Sequence, residues 1–139
     1  MGVNYWETYS PVVNWMSVRA MLTLIILRDI HTKSVDFVLD YTQSGVKSEI
    51  FMELPIGFGI EGAHPREWVI RLDKNLFGLK YAGLSWFEKL KEGLEARYFV
   101  QSQVDLCLWY KEEIVLLSYV DDCLIFSPSK DEIDEVEAT

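Results

Sequence analysis

Residues 114–126 read IVLLSYVDDCLIF, two apolar runs that flank an adjacent pair of aspartates. The runs Ile114–Tyr119 and Cys123–Phe126 have the length and the content of β-branched and aromatic residues that favour strands. Two strands joined by so short a connection predict a β-hairpin with Asp121 and Asp122 at its tip. The sequence therefore predicts antiparallel strands with two carboxylates at one end.

Ionised carboxylates side by side repel each other, so an acidic turn between apolar strands is costly unless a cation neutralises it. Mg²⁺ prefers carboxylate and phosphate oxygens, and nucleotidyl transfer uses two such ions about 3.5–4 Å apart. Asp121 and Asp122 are therefore candidate metal ligands. The alternative for an isolated Asp-Asp pair is a common polar hairpin turn that binds no metal.

A two-metal site also needs a carboxylate from a second element, and Asp36 is the candidate. It lies within Lys33–Leu39, an apolar stretch that we predict to be a core strand. Burial of an aspartate inside such a strand destabilises the fold unless the carboxylate is paired or binds a metal. The alternative is an exposed residue on an edge strand, and Asp40 is a weaker rival for the role of ligand.

The rest of the pattern predicts a single α+β domain. Ser17–His31 is predicted to be a helix whose apolar residues nearly encircle it. This pattern fits a helix that packs against a sheet on one side and against other parts of the polypeptide on the opposite side. Leu84–Phe99 reads as an amphipathic helix. The other predicted elements are strands at Glu49–Leu54, Glu67–Leu72 and Cys107–Tyr110, a turn at 43–45, a loop at Pro55–Pro65, and a last helix that Ser129 and Glu132 open as a capping box.

The composition limits the classes of protein to which the chain can belong. Its 139 residues, half of them hydrophobic, suffice for one core. The formal net charge of −9 argues by itself against a nucleic-acid partner, but five carboxylates fall in the last nine residues, so the excess is local. Cys107 and Cys123 have no zinc-site spacing. We find no signal peptide and no apolar run long enough to span a membrane, so no membrane partner is expected.

Several short motifs occur in a fixed order along the chain, and each alone is weak evidence for a protein family. They are Glu7–Val13 (ETYSPVV), similar to ETFAPV; Val35–Phe37 with Tyr41, Glu49–Met52 and Pro55–Phe58, similar to MDVxxAF…EIYMxxPxGF; Lys74–Lys80 with Trp86 and Phe87, similar to KSLYGLKQxxxxWY; Asp105, Cys107 and Leu108, similar to SDPCL; and Tyr119–Asp122, YVDD. In this order and spacing they resemble the reverse transcriptase of copia-type LTR retrotransposons (Pseudoviridae), from about residue 7 to about residue 128.

The resemblance implies a fold and a set of roles. The fold is a palm-like antiparallel sheet backed by helices, and the activity is RNA-directed DNA synthesis with two Mg²⁺ ions, or Mn²⁺ in their place. The partners are an RNA or DNA template–primer, a deoxynucleoside triphosphate, and the fingers, connection, RNase H and integrase of a polyprotein. Asp36, Asp121 and Asp122 would be the catalytic metal ligands, Phe37, Tyr41 and Lys80 would contact the nucleotide, and Gly78 and Tyr119 the template–primer.

Some of these roles have plain alternatives. Tyr41 matches the aromatic residue that acts as a steric gate against a ribose 2′-hydroxyl, but core packing also explains it. Lys80 is either a phosphate contact or a solvated lysine. Asp40 stands where the family has a small residue, and Tyr81 and Gly83 stand where Gln and Pro are common, which puts the nucleotide side of the site in doubt.

The resemblance also implies that 1–139 is a partial reverse transcriptase domain, truncated at both ends. A basic segment that grips the triphosphate would precede it. The isolated chain is therefore expected to be inactive, and the alternative function is a catalytically inactive retrotransposon remnant that still folds. By the same resemblance the location would be a cytoplasmic virus-like particle, with a nuclear step.

Overall fold

The computed structural model describes residues 8–58 and 68–137. In chain order the elements are α1 (Trp15–Arg28), β1 (His31–Asp36), α2 (Asp40–Gln43), β2 (Gly45–Glu53), β3 (Val69–Lys74), α3 (Ala82–Ala96), β4 (Val100–Gln101), β5 (Leu108–Lys111), β6 (Ile114–Tyr119), β7 (Asp122–Ser127) and α4 (Lys130–Glu137). The fold is mixed α/β with antiparallel sheets, in agreement with the predicted class.

The larger sheet has five strands in the order β1-β7-β6-β5-β4, and every neighbouring pair is antiparallel. The predicted hairpin is confirmed as β6 and β7, which are joined through Val120 and Asp121. β1 pairs with the outer side of β7 along its whole length, from His31 opposite Ser127 to Asp36 opposite Asp122. This register brings the end of β1 to the tip of the hairpin.

Alternation along β6 and β7 sends side chains to two apolar clusters, one on each face of the sheet. Leu116 and Ile125 face α3 and α4, in a cluster that also contains Trp86 and Ile133. The opposite face packs against α1. The buried members of this second cluster are Met21 of α1 and Leu117 and Phe126 of the sheet. The carboxylate-bearing end of the sheet is thus fixed by helices on both faces.

A separate two-stranded sheet is formed by β2 and β3, which overlap the predicted strands Glu49–Leu54 and Glu67–Leu72. It contacts α3, and Lys47 of β2 lies 2.5 Å from Glu88 in an ion pair. The predicted loop at Pro55–Pro65 falls largely outside the described residues. Its beginning is a turn in which the Phe58 N–H donates to the Pro55 carbonyl, with Gly57 at a φ of +90°.

The prediction for Lys33–Leu39 was wrong in two respects. The strand ends at Asp36, and it lies at the edge of the sheet, where Thr32, Ser34 and Asp36 are exposed. The local pattern of apolar residues does not distinguish an edge strand from a central one. Asp36 is therefore not a buried charge in need of a partner, and the structure shows the alternative, an exposed residue on an edge strand.

Other predictions need smaller corrections. A single helical turn, α2, precedes β2 where only a turn at 43–45 was predicted, and the short strand β4 was not predicted. The capping box at Ser129 is replaced by a related arrangement. The Ser127 hydroxyl donates to Glu132 at 2.5 Å and accepts from the Ser129 N–H at 3.0 Å. Among the described residues, no helix is both long and apolar enough to cross a membrane.

Candidate functional site

The tip of the hairpin has an unusual backbone. Val120, the first of its two central residues, has a φ of +56°, while Asp121 does not have a positive φ. A positive φ at the first central position alone is the pattern of a type II′ turn, which glycine usually occupies. For a β-branched residue this conformation is strained, and such strain persists only where the surrounding structure enforces it.

The three predicted metal ligands meet at this tip. Asp36 is the register partner of Asp122 on β7, and Asp122 is in turn the partner of Tyr119 on β6. The backbone beyond β1 holds the turn directly, because the Phe37 N–H donates to the Asp121 carbonyl at 2.9 Å. The sheet register therefore brings together carboxylates that lie 85 positions apart in the sequence.

The carboxylates differ in exposure. Asp36 and Asp122 are exposed and Asp121 is half-buried. Within residues 8–58 and 68–137, no group of three or more His, Cys, Asp and Glu side chains is arranged to hold a metal ion. Mg²⁺ needs only one or two protein carboxylates when substrate phosphates and water complete its shell. The hard oxygen donors at the hairpin tip fit such an ion without a complete protein cage.

Asp40 lies close to this site and is buried, with 7% of its surface exposed. Burial raises the pKa of its carboxyl, and the charges of Asp121 and Asp36 raise it further against a hydrogen bond from the Tyr41 backbone. Its Oδ2 atom has no hydrogen-bond partner within the described structure. The position that sequence comparison marks as a departure is thus an extra carboxylate in the electrostatic field of Asp36 and Asp121.

Two predicted nucleotide contacts lie beside the carboxylates. Tyr41 is half-buried, and burial raises the pKa of its hydroxyl, with the charges of Asp40 and Asp121 adding to the effect. Its ring packs edge-on against Phe77 at 5.0 Å between centroids. Phe37 directs its ring into the core. Core packing therefore accounts for both aromatic residues, and the structure leaves their predicted nucleotide contacts as predictions.

The remaining predicted contacts are on the surface. Tyr119 is 52% exposed at the end of β6, beside Asp122. Gly78 and Lys80 are exposed on the turn that precedes α3, and Gly78 adopts a φ of +92°. At that φ any residue with a Cβ would be strained, which explains the glycine without reference to a template. Their roles also stay predictions.

Sequence reasoning missed two contacts, one at the turn that carries the carboxylates and one that anchors α1. Trp86 on α3 donates its indole N–H to the Val120 carbonyl at 2.7 Å, although the periodicity of α3 marked it only as a core residue. Asp105, 7% exposed, anchors the start of α1 by accepting from the Asn14 N–H at 2.9 Å and the Ser17 hydroxyl at 2.5 Å. Its place in the SDPCL-like motif was a signal, but local spacing does not reveal a partner 91 positions away.

Comparison with known proteins identifies the family of the chain. Over residues 1–139 the chain matches the family described as reverse transcriptase (RNA-dependent DNA polymerase). The chain belongs to the reverse transcriptase family. Polymerases of this kind use divalent metal ions, which agrees with the carboxylates at the hairpin tip.

The relatives of this reverse transcriptase chain are large polyproteins. It is 32% identical over 93% of its length to the retrovirus-related Pol polyprotein from transposon TNT 1-94 of Nicotiana tabacum, and 34% identical over 89% to that from transposon RE2 of Arabidopsis thaliana. It is 25% identical over 85% to the transposon Ty1-BL Gag-Pol polyprotein of Saccharomyces cerevisiae. These matches confirm the resemblance to copia-type retrotransposon reverse transcriptases.

The chain spans 10% of the length of the tobacco relative, 9% of the Arabidopsis one and 6% of the yeast one. It therefore corresponds to a small part of such polyproteins. No solved structure gives a significant match to the chain.

Proposed function

We propose that this chain is the part of a retrotransposon reverse transcriptase that supplies the metal-binding carboxylates for RNA-templated DNA synthesis. The observation that carries the proposal is the register of β1, β7 and β6, which aligns Asp36 with Asp122 at the strained turn that bears Asp121. In this assignment the five-stranded sheet with α1 on one face and α3 and α4 on the other is the palm of the polymerase.

Each carboxylate has a distinct part in this proposal. Asp36 and Asp121 hold the ions from two separate elements, so that neither strand alone forms the site. Asp122 stands between them and adds negative charge without being a principal ligand. When bound, Mg²⁺ or Mn²⁺ would activate the primer 3′-hydroxyl and neutralise the triphosphate.

The proposed substrates are a deoxynucleoside triphosphate and an RNA or DNA template–primer. Tyr41, which lies near Asp40 and Asp121, is proposed to contact the nucleotide on this side of the carboxylates. Lys80 is the proposed phosphate contact, and Gly78 and Tyr119 are proposed to lie along the template–primer. A net charge of −9 leaves few cations to hold a triphosphate, so the fingers and other parts of a polyprotein are the proposed partners.

The rival function is a non-catalytic remnant, and Asp40 is the observation that favours it. A buried carboxylate with an unpartnered oxygen stands in the field of Asp36 and Asp121, where it would repel an incoming triphosphate. In that case the chain keeps the fold of a reverse transcriptase without its activity.

Binding of a deoxynucleoside triphosphate in the presence of Mn²⁺ tests the proposal. We expect the folded chain to bind dTTP weakly, and we expect the Asp121→Asn, Asp122→Asn double variant to lose this binding. The matched control is the Asp131→Asn, Glu135→Gln double variant, which removes the same charge from two exposed positions of α4 and should leave binding unchanged. Equal binding by all three proteins would contradict the proposed site.

Primer extension on an RNA template then separates the enzyme from the remnant. We expect no extension by the isolated chain, because its net charge leaves the triphosphate without enough cations. Extension that the Asp121→Asn, Asp122→Asn variant lacks would show that the chain polymerises DNA by itself. A folded chain that binds neither dTTP nor Mn²⁺ would identify the remnant.

A further inference from the structure

Two hydrogen bonds from outside the hairpin hold the peptide planes on either side of Asp121. The carbonyl of Val120 shares one rigid plane with the N–H of Asp121, and the carbonyl of Asp121 shares the next with the N–H of Asp122. Trp86 donates to the first carbonyl at 2.7 Å and the Phe37 N–H donates to the second at 2.9 Å. The backbone dihedrals that direct the Asp121 side chain are therefore restrained from both sides.

The two donors are linked to each other. The rings of Phe37 and Trp86 pack edge-on with centroids 5.2 Å apart, and Trp86 is only 3% exposed in the core between α3 and the sheet. Phe37 directly follows Asp36. The packing of one tryptophan thus joins α3, the end of β1 and the turn between β6 and β7.

We propose that Trp86 is a positioning residue for the metal site, and that its indole N–H holds the strained turn in the conformation that aims the Asp121 carboxylate. This inference rests on the proposed function, since it assumes that the carboxylate binds a metal. Rotation of the Val120–Asp121 peptide plane would change ψ of Val120 and φ of Asp121 together, and would swing the Asp121 carboxylate. The hydrogen bond opposes this rotation because the carbonyl would lose a partner in a partly buried position.

Trp109 supplies a matched control within the same core. It is fully buried in the same cluster as Trp86, but its indole nitrogen has no hydrogen-bond partner in the described structure. Trp86→Phe and Trp109→Phe therefore remove the same atoms from the same core. They differ in whether a hydrogen bond to the carboxylate turn is lost.

The test compares Mn²⁺ affinity and backbone chemical shifts in the two variants. We expect Trp86→Phe to weaken Mn²⁺ binding about 5- to 10-fold, the factor that one hydrogen bond of ordinary strength supplies. It should also shift the Val120 carbonyl carbon and the Asp121 amide nitrogen in metal-free protein. Trp109→Phe should change neither quantity, and thermal unfolding establishes that both variants are folded.

The inference would be overturned if Trp86→Phe and Trp109→Phe gave the same chemical shifts for the Val120 carbonyl carbon and the Asp121 amide nitrogen, and bound Mn²⁺ with similar affinity. An unaltered turn in metal-free Trp86→Phe would overturn it even if the wild-type chain binds no metal, so this readout is independent of the proposed function. Absence of Mn²⁺ binding by wild-type protein, with a turn that moves in Trp86→Phe, would instead refute the metal site and leave the positioning contact in place.

A measurement on wild-type protein covers the case in which Trp86→Phe does not fold. Hydrogen exchange of the indole N–H should be slow for Trp86, and its resonance should move when Mg²⁺ is added. The exposed indole of Trp15 gives the reference for fast exchange, and that of Trp109 gives the reference for a buried group far from the turn. A Trp86 indole that exchanges as fast as that of Trp15 would contradict the proposed hydrogen bond.

Discussion

Asp40 has an unfavourable environment for a charged residue. Its carboxyl is almost fully buried, one oxygen lacks a partner in the described structure, and the charges of Asp121 and Asp36 act on it. A carboxyl whose pKa is raised in the folded state stabilises the fold only below its unfolded pKa of 3.8, and this contribution is lost as the pH rises through the folded pKa. Ionised Asp40 therefore weakens the fold at neutral pH.

Asp40→Asn should increase the free energy of unfolding at pH 7, because the amide keeps the shape of the side chain and cannot ionise. The gain should shrink as the pH falls through the folded pKa and should vanish below 3.8, where the wild-type carboxyl is protonated in both states. Urea unfolding across this pH range measures both effects. Asp36→Asn is the control, since Asp36 is exposed and its substitution should alter stability little. An Asp40→Asn variant less stable than wild type at pH 7 would contradict the assignment.

Asp36 shows how the prediction of a site residue can rest on an incorrect environment. The apolar residues around it predicted burial in a core strand, whereas the structure exposes it at the end of an edge strand. Its alignment with Asp122 comes from strand pairing 86 positions away, which no local pattern contains. Its metal-binding role stays a prediction that the motif order supports.

At the scale of elements, α1 depends on a loop far away in the sequence. Burial alone would raise the pKa of the Asp105 carboxyl, but hydrogen bonds from the Ser17 hydroxyl and the Asn14 and Cys107 N–H groups outweigh it and lower the pKa. These bonds fix the first turn of α1 against the loop before β5. The negative charge also complements the amino-terminal end of the helix.

Asp105→Asn should lower the free energy of unfolding by about 1–3 kcal/mol, because the amide nitrogen would face a backbone N–H that loses its acceptor. The lowered pKa means that the carboxylate stabilises the fold above its unfolded pKa of 3.8 and that this contribution is lost as the pH falls through the folded pKa. The difference between wild type and variant should therefore narrow in acid. A difference that is independent of pH from 7 down to 3 would contradict the account.

The two faces of α1 give a second prediction for this element. Met21 is buried against the sheet, whereas Ile26 is 83% exposed, although the sequence predicted a helix enclosed on both sides. Ile26→Ala should change the free energy of unfolding by no more than about 0.5 kcal/mol. Met21→Ala should lower it by about 2–5 kcal/mol through lost packing. Chemical denaturation of both variants measures the contrast, and equal losses would show that the assigned faces are wrong.

Element identity was largely predictable, and element position was not. The β6–β7 hairpin followed from two apolar runs around a short acidic connection, and α3 followed from its 3.6-residue period. The edge position of β1 and the anchoring of α1 by Asp105 depend on contacts between distant segments. At the site, the motif predicted which residues gather at the turn, but the indole hydrogen bond that restrains Val120 left no trace in spacing or composition.

For the whole molecule, the thiols report on global unfolding. Mainly through burial, the pKa of the Cys107 thiol is raised to about 11 and that of the Cys123 thiol to about 12. Both side chains are at most 2% exposed. A thiol must be accessible and ionised to react, so alkylation at pH 8 should be far slower in folded protein than in urea. Rapid modification of either cysteine without denaturant would contradict the packing around the sheet.

The most direct test of the central claim is to locate bound Mn²⁺ by paramagnetic broadening of backbone amide resonances. At substoichiometric Mn²⁺ we predict that Asp36, Asp121 and Asp122 broaden first, and that the Asp121→Asn, Asp122→Asn variant loses this effect. The acidic helix α4 is the competing site, since it carries five carboxylates. Broadening centred on α4, or spread evenly over the acidic surface, would contradict a metal site at the hairpin tip.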